Sequence, residues 1–232
     1  METAERTEVQ RLQRQAASIA LAVAPVGVAF GALAASAGLA LWQTVGFSAA
    51  VFTGSAQFAA VSVLADGGSA AAAIAAGLLL NARSLAFGVT LAPDLGGPLW
   101  RRALESQLMI DEAMAVGTAG STPRTRRIGY LLGGGGVYLT WNASTVLGAV
   151  ALPDTGTLVT DLGIDATIPA AFLALLWPRL QDPHQRRVAV VGATITLVAI
   201  PLTPPGVPIL LAAFAALLPR APAPADPAGG RP

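Results

Sequence analysis

An all-α integral membrane protein, a polytopic helical bundle of about seven (six to eight) membrane segments, is predicted by three observations. Of the 232 residues, 54% are hydrophobic and only 12% charged, and the mean hydropathy is +0.63. Several apolar runs reach the roughly 17–25 residues that a spanning helix needs. Within one of them, Ala70 to Ala92, stand Asn81 and Arg83. An arginine deep in a bilayer costs at least a few kcal/mol, so it faces a protein interior or a watery cavity.

The composition also excludes classes. A net charge of +1 gives no bulk electrostatic case for nucleic acid. With no Cys and one His, disulfides and thiolate metal sites are ruled out, and no metal or cofactor is expected. Every basic side chain is Arg, a genomic bias rather than a functional sign. Three regions are read: an N-terminal tail over 1–17, a transmembrane domain over 18–218, and a Pro- and Ala-rich disordered tail over 219–232.

In chain order, residues 1–17 mix three Glu with three Arg and read as a short exposed helix or tail. The first apolar run, Ser18 to Leu41, imitates a signal peptide, but its length favours a retained span. Pro25 frees the carbonyl of Leu21, which permits a kink or break. Gly27 and Gly31 form a GxxxG pair suited to close helix contact. The second run, Trp42 to Leu64, places Ser48, Ser55 and Ser62 on one face and Gly46, Ala50 and Gly54 on another. Gln57 lies far round the helix from Ser55, so the two share a pocket only if the helix breaks near Gly54.

In the third run Gly77, Asn81, Ser84 and Gly88 share a small polar face, and Arg83 lies about 100° away from Ser84. Arg83 is too far from Pro93-Asp94 to snorkel fully, at about 1.5 Å per residue. It calls for an anionic partner inside the protein. The polar segment Pro93 to Arg127 holds a stretch, ALESQLMIDEAMAVGTAG, expected to be helical. Asp111 and Glu112 diverge by about 100° there, and either could pair with Arg83 or carry a proton. The fourth run, Ile128 to Ala151, contains four successive glycines, Gly133 to Gly136, which imply close backbone approach or unwinding. An acidic loop and a fifth run, Ile164 to Trp177, follow. The last two runs, Val188 to Leu202 and Val207 to Leu218, are short for a span.

Arginine collects at the N-terminus, in 93–127, in 179–187 and in the tail. The positive-inside rule puts all four in the cytoplasm, yet three full crossings would put 93–127 outside. Either one early run is re-entrant, with Gly54–Gln57 the favoured turn, or the 104–120 helix adds a pass. The runs VFTGSAQ and VYLTWNAS share a faint polar pattern, which does not amount to an internal repeat.

Taken in order, Pro25 to Gly31, Phe52 to Phe58 (FTGSAQF), Asn81-Ala82-Arg83 through Gly88, and Asp111-Glu112 resemble the AzlC family of branched-chain amino acid exporters. Trp141 to Gly148 and Gly163 to Leu176 also fit, so the likeness covers most of 18–200. Two positions depart from the family pattern. Ser84 stands where the family often has His, and Ile110 where it often has Thr.

The resemblance implies a multi-pass permease of a bacterial inner membrane, N-terminus cytoplasmic. It would export valine, leucine, isoleucine and similar molecules with a small AzlD-type membrane subunit. In that reading Arg83 attracts the substrate carboxylate. Asn81, Ser55 and Gln57 supply hydrogen bonds, and Gly54 lets a backbone approach. Asp111 or Glu112 receives the ammonium group or a coupling proton. No enzymatic activity is expected. The two competing readings are an assembly subunit, in which Arg83 only locks helices, and a serine hydrolase using Ser55. The second lacks a nearby base, because the only His is His184.

Overall fold

The computed structural model describes residues 2–151 and 179–219, with Leu173, Leu176 and Trp177 between them. The acidic loop 152–163, most of the fifth run and the tail from 220 lie outside the described residues. Among those described, regular structure is entirely helical. In order these are α1 (Glu2–Ser36), α2 (Leu41–Ala50), α3 (Gly54–Ala65), α4 (Ala70–Asn81), α5 (Arg83–Leu91), α6 (Leu99–Ser106), α7 (Asp111–Thr118), α8 (Pro123–Ala151), α9 (Pro183–Ala199) and α10 (Val207–Ala212).

The frame is α1 packed parallel to α8. Glu5 pairs with Arg124, Ala20 lies under Gly136, and Gly27 and Gly31 meet Ser144 and Thr145. A Cβ at Gly31 would overlap Thr145 O, and one at Gly148 would overlap Val28 O. The small residues therefore let the two backbones touch. α1 runs through Pro25 as one continuous helix. The four glycines of α8 do not unwind it. Gly133 and Gly134 instead make room for α7 and the turn before it, since Cβ atoms there would stand 3.0 Å from Val116 Cβ and 2.8 Å from Leu108 Cβ.

The segment read as a short exposed helix or tail forms, from Glu2 on, the first turns of α1 and is docked. Ser121 donates to Glu8 through its N–H (2.6 Å) and its hydroxyl (2.9 Å). Arg11 donates to Ala119 O at 2.7 Å, and Leu12 is fully buried in a cluster with Ala16 and Val116. The start of α1 and the start of α8 therefore share one end of the bundle.

The chain from Leu41 to Thr118 lies between them as two pairs of short helices, α2–α3 and α6–α7, and one longer apolar stretch, α4–α5. α2 and α3 span only about 15 and 18 Å, each too short to cross a bilayer. They form a V whose apex is Val51–Thr53. Phe47 of α2 packs on the cluster of Ala60 and Val63 in α3, and Phe30 of α1 touches both Phe47 and Phe58. α4 and α5 then make one crossing. α4 packs antiparallel on α3, with Gly77 against Ala56, and α5 ends near the start of α8, where Asp94 meets Arg126 at 3.8 Å.

The stretch 104–120, expected to be one helix, is two. α6 and α7 are joined by a turn at 107–110, and α7 returns toward the start of α8, with Gly117 against Tyr130. Arginines of α1, α6 and the start of α8 lie on the same end of the bundle, where Arg124 pairs with Glu5 and Arg101 and Arg127 share Glu105. Beyond the undescribed segment, α9 and α10 pack on each other. Gly206, at φ +90°, turns the chain between them against Val63 and Ala72, where only glycine fits without strain.

Gly31→Ala is expected to lower stability by about 1–3 kcal/mol through overpacking. Gly135→Ala, where no atom lies within 4 Å, should raise it by up to about 1 kcal/mol. Thermal unfolding of the detergent-purified variants reads both, and equal midpoints would refute the α1–α8 contact.

Candidate functional site

The apex of the α2–α3 V holds the most constrained chemistry in the molecule. A helix leaves its last four carbonyls without partners, and α2 ends inside the bundle. Two glutamines serve those groups. Gln57, fully buried, donates both protons of its Nε2, one to Ser48 O at 3.1 Å and one to Val51 O. Gln107, at the α6–α7 turn, donates its two to Ala49 O and Ala50 O, each at 2.9 Å. Tyr138 of α8 adds a longer bond to Ala49 O, 3.3 Å. The Gln57 carboxamide oxygen accepts from Trp141 Nε1 at 2.8 Å, so every polar atom of Gln57 is engaged. Gln57 thus faces away from Ser55 and builds the apex itself.

Trp141 is placed by its neighbours. Its ring stacks on Phe30 at 6.1 Å and meets Phe58 edge-on at 6.3 Å. A Cβ at Gly54 would come within 3.0 Å of the indole, so Gly54 clears space for Trp141. Its neighbours at the start of α3 have no side-chain cap: the first bond across the apex is Gln57 N to Thr53 O. Their amides form the positive end of a short helix.

Opposite this apex, the α4–α5 crossing tightens at Ala82, where Leu85 N bonds Ala82 O in an i→i+3 turn. Asn81 Oδ1 lies 2.8 Å from Ser84 Oγ and 3.0 Å from Thr53 Oγ1, which ties the tightened turn to the V. Ser84, in the position where a histidine was expected from the resemblance, thereby serves as a bracket for Asn81. Arg83 follows at once. Its guanidinium donates from Nη2 to Ser55 Oγ at 3.0 Å and pairs through Nη1 with Asp111 Oδ2 at 2.8 Å.

Of the residues singled out in the sequence, Arg83, Asn81, Ser55 and Asp111 therefore converge. Gln57 and Gly54 lie behind them in the wall. Glu112 makes no ion pair among the described residues. Sequence reasoning gave no role to Gln107, Thr53 or Tyr138. Gln107 sits in an ordinary polar helix pattern, and nothing local marks it as the cap of a helix some fifty residues earlier.

The Arg83–Asp111 pair is half-exposed, with side chains 45% and 40% accessible. Such a pair is worth only about 0–1 kcal/mol. The other Asp111 oxygen, Oδ1, is buried without a partner among the described residues. The guanidinium is thus shared, one terminal nitrogen on a carboxylate and the other on a hydroxyl.

An all-helical arrangement among the described residues, with two stretches long and apolar enough to cross a membrane, is that of a helical membrane protein. The chain belongs to the AzlC family, whose profile, AzlC protein, matches residues 18–153. It is 30% identical over 201 residues to an uncharacterized membrane protein of Archaeoglobus fulgidus, covering 85% of this chain and 87% of that one. No solved structure matches it.

Gln57→Leu strands Ser48 O and the Trp141 N–H at once, at about 1–3 kcal/mol for each orphaned group, while Val51 O keeps its bond from Thr53 N. A large loss of thermal stability is expected, with a smaller one for Trp141→Phe. An unchanged unfolding midpoint for Gln57→Leu would show that the apex is held by other means.

Proposed function

We propose that this protein is a permease that exports branched-chain amino acids and similar molecules by alternating access. In this reading it works with a small AzlD-type membrane subunit, in a bacterial inner membrane. The observation that carries the reading is the sharing of Arg83 between Ser55 and Asp111 at the facing breaks. Substrate carboxylate takes the Asp111 position on the guanidinium through paired, charge-assisted hydrogen bonds. The uncapped amides at the start of α3 add positive potential on the same side, as half-helix termini do in transporters. Asp111, once displaced, or Glu112 beside it takes up the coupling proton. Asn81 and Ser55 hold the substrate's oxygens in register, and Gln57 and Gly54 keep the wall in place.

Orientation follows from arginine. The end that carries Arg6, Arg11, Arg14, Arg101, Arg102, Arg124, Arg126 and Arg127 is assigned to the cytoplasm. Ile74, Leu78, Leu85 and Val89 of the α4–α5 crossing are 62–79% exposed and fall in an apolar stripe suited to lipid or to the small subunit. A pocket that reads side chains by aliphatic contact discriminates by only about 1–3 kcal/mol per methylene, so a range of substrates is expected. Hydrolysis through Ser55 has no support here. The hydroxyl faces a guanidinium, which cannot accept its proton.

The test is efflux of labelled leucine or valine from cells that make this chain with its small subunit. Arg83→Ala should cut efflux about tenfold or more, the worth of lost charge-assisted bonds. Arg83→Lys should fall between, since it keeps the charge and loses the fork. Full efflux by Arg83→Ala would remove Arg83 as the anchor. Loss of folded protein in both variants would make it a structural lock.

A further inference from the structure

Gln107 and Asp111 belong to one short turn, and both occupy the apex region by contacts that a ligand could supply. Asp111 gives Arg83 a carboxylate. Gln107 gives the carbonyl end of α2 a pair of N–H donors, bonded to Ala49 O and Ala50 O at 2.9 Å each. The C-terminal end of a helix carries about half a negative charge, so a cationic donor binds there better than a neutral amide. The two glutamines that cap α2 also differ in kind. Gln57 is fully buried and bonded on every polar atom, whereas Gln107 is exposed.

We propose that the carbonyls of Ala49 and Ala50 form a subsite for the substrate's α-ammonium group, and that Gln107 is the displaceable side chain that fills it when no substrate is bound. This rests on the permease reading above and deepens it. The negative end of α2 and the positive end of α3 stand on either side of one three-residue apex, Val51–Thr53, with Ser55 and Arg83 on the α3 side. A zwitterion matches that pair of opposite poles. The α6–α7 turn imitates it, with an amide for the ammonium and Asp111 for the carboxylate. Substrate entry then displaces both polar contacts of the turn together, while Leu108 against Gly134 and the buried Ile110 keep its apolar side packed. Gln107 is a positioning residue in this scheme, since it leaves as the substrate arrives.

The test uses the purified full chain, with ligand affinity read from the shift of its thermal unfolding midpoint. The probes are 3-methylbutylammonium, which is leucine without its carboxylate, and 4-methylpentanoate, which is leucine without its ammonium. Sodium chloride against choline chloride serves as the inorganic-cation arm. Gln107→Ala should bind 3-methylbutylammonium about fivefold more tightly than the unaltered chain, because one competing contact is gone. Its affinity for 4-methylpentanoate should stay the same. Arg83→Ala should show the reverse pattern, with 4-methylpentanoate lost and the amine kept. Gln107→Ser provides the same comparison if Gln107→Ala does not fold.

An unchanged or weaker amine affinity in the Gln107 variants overturns the subsite. A shift with sodium in place of the amine assigns the carbonyls to an inorganic cation and overturns the ammonium assignment. If the amine behaves as expected while no amino acid is exported, the permease reading fails and the subsite stands.

Discussion

A helix that stops inside an apolar bundle must pass its last carbonyls to donors from elsewhere, because no bulk water is present to take them. α2 stops at Ala50, and the four carbonyls from Ser48 to Val51 go to two glutamine carboxamides. Gln57 comes from α3, so satisfying Ser48 and Val51 fixes the angle of the V. Gln107 comes from the α6–α7 turn, so satisfying Ala49 and Ala50 docks that turn on the apex. Docking the turn brings Asp111, four residues later, to Arg83. The charged cluster is in this sense a consequence of a hydrogen-bond requirement on backbone alone.

The magnitudes separate a fixed part of the site from an exchangeable one. Orphaning a buried polar group costs about 1–3 kcal/mol, and removing Gln57 would leave two such groups, Ser48 O and the Trp141 N–H. The half-exposed Arg83–Asp111 pair contributes about 1 kcal/mol or less. Low-stability contacts are the ones that can open during function. Those contacts here are the two made by the 107–111 turn. Behind them the α1–α8 pair, joined backbone to backbone at Gly31 and Gly148, gives the turn something rigid to move against.

Much of this arrangement is legible in the sequence wherever the signal is local. Arg83 in a 22-residue apolar stretch announces an internal partner, and Asp111 is among the two carboxylates that could supply it. The arginine distribution calls for an early re-entrant or broken run or an added pass by 104–120, and the chain is broken at both places, between α2 and α3 and between α6 and α7. What sequence does not carry is the pairing of distant hydrogen-bond groups. Gln107 and Tyr138 look like ordinary polar residues until α2 is seen to end beside them. The division of 104–120 into α6 and α7 is hidden for a related reason. The segment 107–110 contains neither Gly nor Pro, and its helix is interrupted by a tertiary demand, the capping of α2. Conversely, Gly133 to Gly136 look like a breaker but stay helical, with Val116 and Leu108 packed into the space that side chains at Gly133 and Gly134 would have taken.

The order of elements adds a last constraint. α1 crosses the bundle and is followed by a V that enters from the end where α1 stops. α4–α5 crosses in the opposite direction and is followed by α6 and α7, which turn back from the opposite end. A long apolar stretch followed by a pair of short helices thus occurs twice with reversed direction, although VFTGSAQ and VYLTWNAS do not mark the two units. The apices of the two pairs meet where Gln107 caps α2. In the permease reading, a ligand between them is covered from one end by α2–α3 and from the other by α6–α7, and elements of opposite orientation would expose it in turn. The asymmetry lies in the chemistry. The α2–α3 apex is locked by a fully buried glutamine, while the polar contacts of the α6–α7 apex are an exposed glutamine and a half-exposed ion pair. Those polar contacts are the exchangeable ones, and Leu108 against Gly134 with the buried Ile110 keeps the turn itself in the core.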